Sequence, residues 1–542
     1  MKNFENNVQY IKYLVNKSVA SHFFKGTLGK TITSAQEIAE EIIPGPKPTF
    51  RCCIYKERHI VEDRVRLVMD PTEDNIVINV LDSACDECPI DRFVVTEACR
   101  GCLGHKCQEV CPRGAITIVK NKSYINQDLC IECGRCKQAC PFDAISEVKR
   151  PCMRACAVGA VTIDENRKAK INHDKCISCG ACVQQCPFGA IVDKSYVVDV
   201  LRLLRDSFNN TGYHVYAAVA PAIASQFPDV ATGQVYAGIK ELGFYEVVEA
   251  AIGGDMVTMA ETEEFVETID EKGWKTTSCC PAFVDYVRKN FPDQMEHVST
   301  VVSPMIAIAR AIKAKDDKAK VVFMGPCTAK KVEIKQDDLR GAVDYVLTFE
   351  ELRSLLDAKE IDLDKLEAIS AGEPSSYGRI FARTGGVAES VRRVAKLEGI
   401  DKEINPIRCS GIDECMKALR LASFGRLEEN LIEGMACKFG CTGGAASLIH
   451  EARGIEMINK YSREALTDDP SEGFRGYDMA GINMERDFGL EKKEEPKAEP
   501  ETEAVKAEPK AEPAVEVKEE PKAEEKPKAK RTKKADAEPA EE

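Results

Sequence analysis

The 542-residue sequence is poor in aromatic side chains, with a single Trp, and it contains no long apolar run. The longest candidate, residues 215–224, falls well short of the roughly 20 residues a helix needs to cross a bilayer, so no membrane span is expected. The opening MKNFENNVQYIKYLVNKSV lacks the apolar core of a secretory signal. Positive charge is also in deficit: 75 Lys and Arg against 89 Asp and Glu leave a formal charge of -14. That balance argues against nucleic acid as a main partner, because phosphate binding draws on clustered cations. What the chain has in excess is cysteine, 25 in all, sixteen of them between Cys85 and Cys186. Dense cysteine in a small secreted chain reads as a disulfide framework. In a long chain without a signal segment it points instead to a soluble, cytoplasmic protein whose reduced thiols bind metal.

Composition divides the chain into four regions. Residues 491–542 hold seven Pro, 17 acidic and 13 basic residues and no aromatic. So little apolar surface cannot offset the entropy of ordering, and a disordered tail is expected there. Residues 1–80 form a region of unknown role, with a short alternating strand at 75–81 and a helix start with a loose capping box at Ser34 and Glu37. In 196–490 apolar runs alternate with amphipathic stretches. Residues 215–220, 247–252, 320–324 and 343–347 read as buried strands, and 235–242, 261–269 and 283–290 as helices. This alternation implies an α/β domain of mainly parallel sheets with flanking helices, whose functional groups sit on loops after the strands.

Residues 81–195 carry the cysteines. Cys130, Cys133, Cys136 and Cys140 repeat the spacing of Cys176, Cys179, Cys182 and Cys186, each run ending in Cys-Pro. This is the bacterial ferredoxin pattern, in which three close thiolates wrap one [4Fe–4S] cluster and the fourth crosses to a neighbour. Zinc competes for cysteine, but its sites use two separated knuckles rather than three packed thiols. The ending Pro-x-x-Ala-Ile recurs after Cys111, so the segment reads as tandem ferredoxin-like α+β units. The crossing rule pairs Cys99, Cys102 and Cys107 with Cys140; Cys130, Cys133 and Cys136 with Cys111; and Cys176, Cys179 and Cys182 with Cys156. The gap between Cys102 and Cys107 is longer than usual, so a distorted loop is expected. Cys152 and Cys186 are left over, as is the pair Cys85 and Cys88, and these four are candidates for a fourth accessory cluster; the alternative is that they are unliganded remnants. Cys52 and Cys53 are adjacent, poor geometry for one metal, and are expected to be structural or incidental.

Three motifs in the α/β domain point to a destination for electrons: Thr277-Ser-Cys279-Cys280-Pro-Ala-Phe283, Met324-Gly-Pro-Cys327-Thr-Ala-Lys330-Lys-Val-Glu333, and Glu433-Gly-Met435-Ala-Cys437-Lys-Phe-Gly-Cys441-Thr-Gly-Gly444. Cysteines on three loops, one of them Gly-rich, suit a buried cubane better than a core of free thiols. The motifs resemble the three signatures of [FeFe]-hydrogenases, and the stretch from Cys409 to Cys415 with Ala282-Phe283 is closest to the subgroup often called group B.

The resemblance implies that Cys280, Cys327, Cys437 and Cys441 hold a catalytic cubane. Cys441 would also bridge it to a two-iron unit carrying CO, cyanide and a dithiolate, the whole being the H-cluster. Cys279 would pass protons, followed outward by Glu261, Ser299 and Glu264. Lys330, held by Glu333, would donate to a cyanide ligand. Pro221, Ala222, Phe381 and Met435 would line the two-iron unit, though ordinary core packing accounts for them equally well. Cys409 and Cys415 match no ligand of the family and are expected to pack.

Gly325, and the pair Ala282-Phe283, depart from the Met and the Gly-Trp usual in the family. The implied activity is reversible formation of H2 from protons, with electrons from a ferredoxin or similar carrier and with maturation enzymes as further partners. A sensory homologue with little turnover, and a non-enzymatic iron-sulfur carrier or assembly protein, are the rival readings.

Overall fold

A computed structural model of the chain describes residues 4–28, 34–70, 76–86, 88 and 92–489. The expected disordered tail lies outside the described residues. Among those residues no helix is long and apolar enough to cross a membrane.

Two parallel sheets organise the second half. In the first, the strands run in the order Glu246–Glu249, His214–Val219, Ala319–Gly325, Tyr345–Thr348. Its two central strands, HVYAAV and AKVVFMG, are buried along nearly their whole length, as a sheet covered by helices on both faces requires. Val219 lies opposite Met324, so both chains leave the sheet at the same edge, one into Pro221 and Ala222 and the other into Cys327. The second sheet, which sequence patterning did not anticipate, orders Lys275–Thr276, Leu431–Met435 and Pro406–Ser410. From its carboxyl ends emerge Cys279 and Cys280, Cys437, and the loop before Cys415. The cysteine motifs of residues 277–444 therefore all follow strands.

The apolar run at 247–252 ends differently from its strand expectation. The strand stops at Glu249, and Ala251 opens the 22-residue helix Ala251–Lys272. A short buried apolar run suits either state, and here the helical residues that follow extend backward into it.

The two ferredoxin-like units are placed one inside the other. The inner unit pairs Phe93–Val95 with Ile145–Glu147 and Ile116–Val119 with Lys122–Ile125, all antiparallel. The outer unit pairs Ile78–Val80 with Ile191–Asp193 and Val161–Ile163 with Ala169–Ile171. The inner unit is thus inserted between Cys88 and Cys152, and each unit has its own apolar core.

Residues before the outer unit form three helices, Asn7–Phe24, Ala35–Ile42 and Ile54–Met69. Asn6 caps the first by accepting from the Gln9 amide, and Ser34 and Glu37 cap the second reciprocally. Lys12 of the first helix reaches Asp193 at 2.6 Å and Glu350 at 2.5 Å, and the wholly buried Lys331 joins Asp193 at 2.9 Å to Glu351 at 3.1 Å. Buried ion pairs of this kind add little net stability, but breaking one leaves an uncompensated charge, so they fix how the parts seat. The N-terminal helices and the outer unit are locked onto the α/β domain through Asp193.

Candidate active site

Four thiols converge between the carboxyl ends of the two sheets. Cys280 precedes the helix Pro281–Asn290, Cys327 follows the strand Ala319–Gly325, and Cys437 and Cys441 flank the start of the turn Gly440–Gly443. The chain can only pass here as glycine. Gly440 has φ +76, and a side-chain carbon on Gly444 would lie 2.6 Å from the Pro326 carbonyl oxygen. All four thiols are free. Burial, reinforced by one another's charge, pushes Cys441 up to about 12 and Cys327 up to about 11. Cys437 is raised for the same reasons, with Cys327, Cys280 and Cys441 all acting on it. Removing four protons from such a set is costly unless a cationic group takes their place, so the donor chemistry fits an iron-sulfur cluster. Among the described residues, no group of His, Cys, Asp or Glu is arranged for a single metal ion.

Cys279 sits beside these thiols but faces a carboxylate. Burial, then Glu261, holds its thiol well above the ordinary cysteine range, so it stays protonated. Glu261 is 5% exposed, and burial pushes it up to about 7. One of its oxygens accepts from the Ser278 amide at 3.1 Å and lies 3.3 Å from the Ser278 hydroxyl oxygen. The other has no hydrogen-bond partner among the described residues. The same helix presents Glu264 one turn later. Burial alone would raise Glu264, but Lys275 at 2.8 Å, with Ser299 and Thr300, holds it below the usual carboxylate range. The Ser299 hydroxyl donates to Glu264 at 2.6 Å and accepts from the Val301 amide at 3.2 Å. Ser278 Oγ donates to the Val301 carbonyl oxygen, so the two serines meet on one residue. Glu261 and Glu264 are therefore an inner neutral-prone acid and an outer fixed anion, two environments on one helix face.

Lys330 also borders the thiols, with Cys327 and Cys279 acting on it. Its ammonium is 2.7 Å from the Glu333 carboxylate and donates to the Cys279 carbonyl oxygen at 3.4 Å. Burial would lower the lysine, yet Glu333 and the thiols hold it above its ordinary value. Pro221, Ala222, Phe381 and Met435 are all buried, and the last three share one apolar cluster with Cys279.

Sequence reasoning missed Ser278, Lys275, Thr300 and Glu433. Glu433 accepts from the Gly385 amide at 2.6 Å and the Ala388 amide at 2.9 Å, pinning the helix Gly386–Leu397 beneath the third motif. Ser278 and Glu433 stand inside quoted motifs, which was the available signal. Cys409 and Cys415 are buried in a second core with Phe283. Cys52 and Cys53 are exposed, and Cys53 caps the helix Ile54–Met69.

Of the accessory cysteines, Cys99, Cys102, Cys107, Cys111, Cys130, Cys133, Cys136 and Cys140 belong to the inner unit and the other eight to the outer. The long gap after Cys102 is an outward bulge with Leu103 fully exposed at its tip, and His105 at φ +31 turns the chain back into the helix that carries Cys107. The outer unit abuts the central thiols: Cys179 acts electrostatically with both Cys327 and Cys437. Thr328 donates to the Ser178 carbonyl oxygen at 2.7 Å, fastening that junction.

Residues 213–445 match the family described as iron only hydrogenase large subunit, C-terminal domain, and residues 123–146 and 169–192 match the 4Fe-4S binding domain. Iron hydrogenase 1 of Clostridium pasteurianum is 28% identical over 309 residues, 47% of this chain and 54% of that protein. The NADP-reducing hydrogenase subunit HndD of Solidesulfovibrio fructosivorans is 28% identical over 343 residues, 53% of this chain and 58% of that protein. The chain thus spans little more than half the length of these curated relatives. An apo [FeFe]-hydrogenase HydA1 from Chlamydomonas reinhardtii superposes with a TM-score of 0.42 at 21% identity, covering 51% of this chain and 91% of that one. Residues 213–445 are therefore similar to the C-terminal domain of the iron-only hydrogenase large subunit, and the two matches to the 4Fe–4S binding domain lie ahead of them.

Proposed function

We propose that the protein exchanges protons and electrons with H2 at an H-cluster held by Cys280, Cys327, Cys437 and Cys441. The observation that carries this reading is the conjunction of four buried thiols with a protonated fifth, Cys279, backed by Glu261 and Glu264. A carrier or assembly scaffold has no use for a proton relay ending at its cluster. The two-iron unit supplies the H2 chemistry when bound, and the protein supplies ligation, protons and field. Cys279 holds a proton at its Sγ beside the cluster. Glu261, poised near neutral pH, takes and returns that proton, and the Ser278 contacts aim its carboxylate. Ser299 and Glu264 extend the route outward, with Lys275 keeping Glu264 in place. The Lys330 ammonium stabilises anionic ligands in a dry site, and Glu333 keeps it charged there.

Cys99, Cys102, Cys107 and Cys140; Cys111, Cys130, Cys133 and Cys136; and Cys156, Cys176, Cys179 and Cys182 would hold accessory [4Fe–4S] clusters, which supply one-electron transfer when bound. The last set neighbours Cys327 and would be the final donor. Residues 92–149 hold nine Lys and Arg against six Asp and Glu, a basic unit in an acidic chain. That reversal suits docking of an acidic one-electron carrier such as a ferredoxin. The free thiols suit a reducing, cytoplasmic setting. Maturation enzymes would install the two-iron unit. The test is H2 release from reduced viologen by the anaerobically matured chain. Sustained gas supports the proposal, whereas turnover no higher than in a Cys279→Ala variant would leave a sensory homologue as the reading.

A further inference from the structure

We infer that Cys85, Cys88, Cys152 and Cys186 hold one more [4Fe–4S] cluster, in a ligand run split by the inserted inner unit. The inference stands on the correspondence between the two units. In the inner unit, Cys99 accepts a hydrogen bond from the amide of Ser123, on the strand Lys122–Ile125. In the outer unit, Cys85 accepts at 3.3 Å from the amide of Ala169, on the corresponding strand Ala169–Ile171. Cys85 therefore occupies the place of a first ligand.

Third ligands follow the same logic. Cys107, Cys136, Cys152 and Cys182 are each the second residue of a short helix and each is buried. The residue before the helix is left-handed at His105, Gly134 and Gly180, as expected where a ligand loop folds straight into its helix. Arg150 alone has φ -57, because there the chain arrives from the inserted unit. Four residues after each third ligand stand Cys111, Cys140, Cys156 and Cys186, and each sulfur accepts from the amide four residues further on, at Ala115, Ala144, Ala160 and Ala190. The outer unit is thus a complete two-cluster framework whose first run, Cys85, Cys88, Cys152, has about sixty residues inserted before its third ligand, a length read directly from those residue numbers.

The four sulfurs meet across that insertion. The antiparallel pairing of Val80 with Ile191 brings the segment leading to Cys85 beside the one leaving Cys186. Cys152 has Cys186, Cys88 and Cys85 as its charged neighbours. Cations are fixed around them: Arg51 and Arg150 act on Cys88, and the buried Arg64 acts on Cys186 and donates to the Gly189 carbonyl oxygen. Three guanidinium groups beside four thiols favour the negative charge of a thiolate-bound cluster there. Cys152 also neighbours Cys182 of the adjoining set, so this cluster would stand next to the final donor and close the neck of the insert.

The test counts metal on the full chain, purified or reconstituted anaerobically, for Cys88→Ser, for Cys85→Ser with Cys88→Ser, and for Cys53→Ser as a control. The double variant should lose one cubane's complement of iron and acid-labile sulfide relative to the control. Cys88→Ser, at a half-buried position that tolerates the change, should lose iron and show the paramagnetic signal of a three-iron cluster when oxidised. If the double variant does not fold, the single variant decides. Iron, sulfide and spectrum all matching the control in Cys88→Ser would overturn the inference. No turnover is measured, so this result and that of the hydrogenase assay stand or fall separately.

Discussion

Replacing Glu261 by Gln removes one proton site while keeping the oxygen that accepts from Ser278. Burial raises this carboxyl from the ordinary 4.5 to about 7. That difference corresponds to about 3 kcal/mol disfavouring the buried anion. At pH 7 an exposed glutamate of ordinary pKa is protonated roughly once in 300 molecules, whereas Glu261 is protonated in about half, so burial increases the proton-carrying population by roughly 150-fold. A relay group needs both forms, and this is where both are populated. As pH rises through about 7 the neutral form is lost, so an infrared difference spectrum of the protein should show a carboxylic acid band bleaching across that range. In Glu261→Gln the band should lose the Glu261 contribution and keep those of Glu433 and Asp255, which burial pushes up to about 7 and about 8. Turnover in the variant should fall by about 100-fold or more, the usual scale of a positioned acid-base group, with the cluster spectra unchanged. Glu261→Asp should recover part of the rate, because the carboxyl is kept but withdrawn from Ser278. Full turnover in Glu261→Gln, with the wild-type pH profile, would refute the reasoning.

Other outcomes follow from the same geometry. Cys279→Ala should retain the cluster spectra and lose about 100-fold or more in H2 production, since Cys279 is the thiol on which Glu261 acts. Glu333→Gln leaves the Lys330 ammonium buried without its carboxylate, a loss of about 3–5 kcal/mol that amide hydrogen exchange around residues 327–334 should report as raised exchange. Raising ionic strength should increase the KM for an acidic electron carrier while leaving kcat with a small viologen unchanged, because the basic inner unit attracts through screened charge; an unchanged KM would place the entry point elsewhere.

Much of this site was legible before any coordinates. Iron ligation by thiolates is written in spacing, and the strands feeding Pro221 and Cys327 are continuous apolar runs buried on both faces. The second sheet was hidden because Lys275–Thr276 is only two residues long and Pro406–Ser410 is largely half-exposed. The helix Asn7–Phe24 was hidden for the opposite reason: it buries Gln9, Asn16 and Ser18, polar residues that pattern reading assigns to solvent. By local pattern alone Glu261 belongs to the polar side of an amphipathic helix. It is buried because the long helix Ala251–Lys272 is packed on several sides, a tertiary fact with no local signature. The split site was legible as four leftover ligands, Cys85, Cys88, Cys152 and Cys186, but the nesting that separates Cys88 from Cys152 was not, since no window along the chain shows one unit inserted in another.

The central claim is that residues 213–445 bear a CO- and cyanide-ligated iron cofactor that turns over H2. The most direct measurement is infrared spectroscopy of the anaerobically matured full chain, with gas release followed on the same sample. The account predicts bands in the CO and cyanide regions accompanied by H2. A matured sample with neither bands nor gas would contradict it, and bands without gas would contradict catalysis while leaving the cofactor in place.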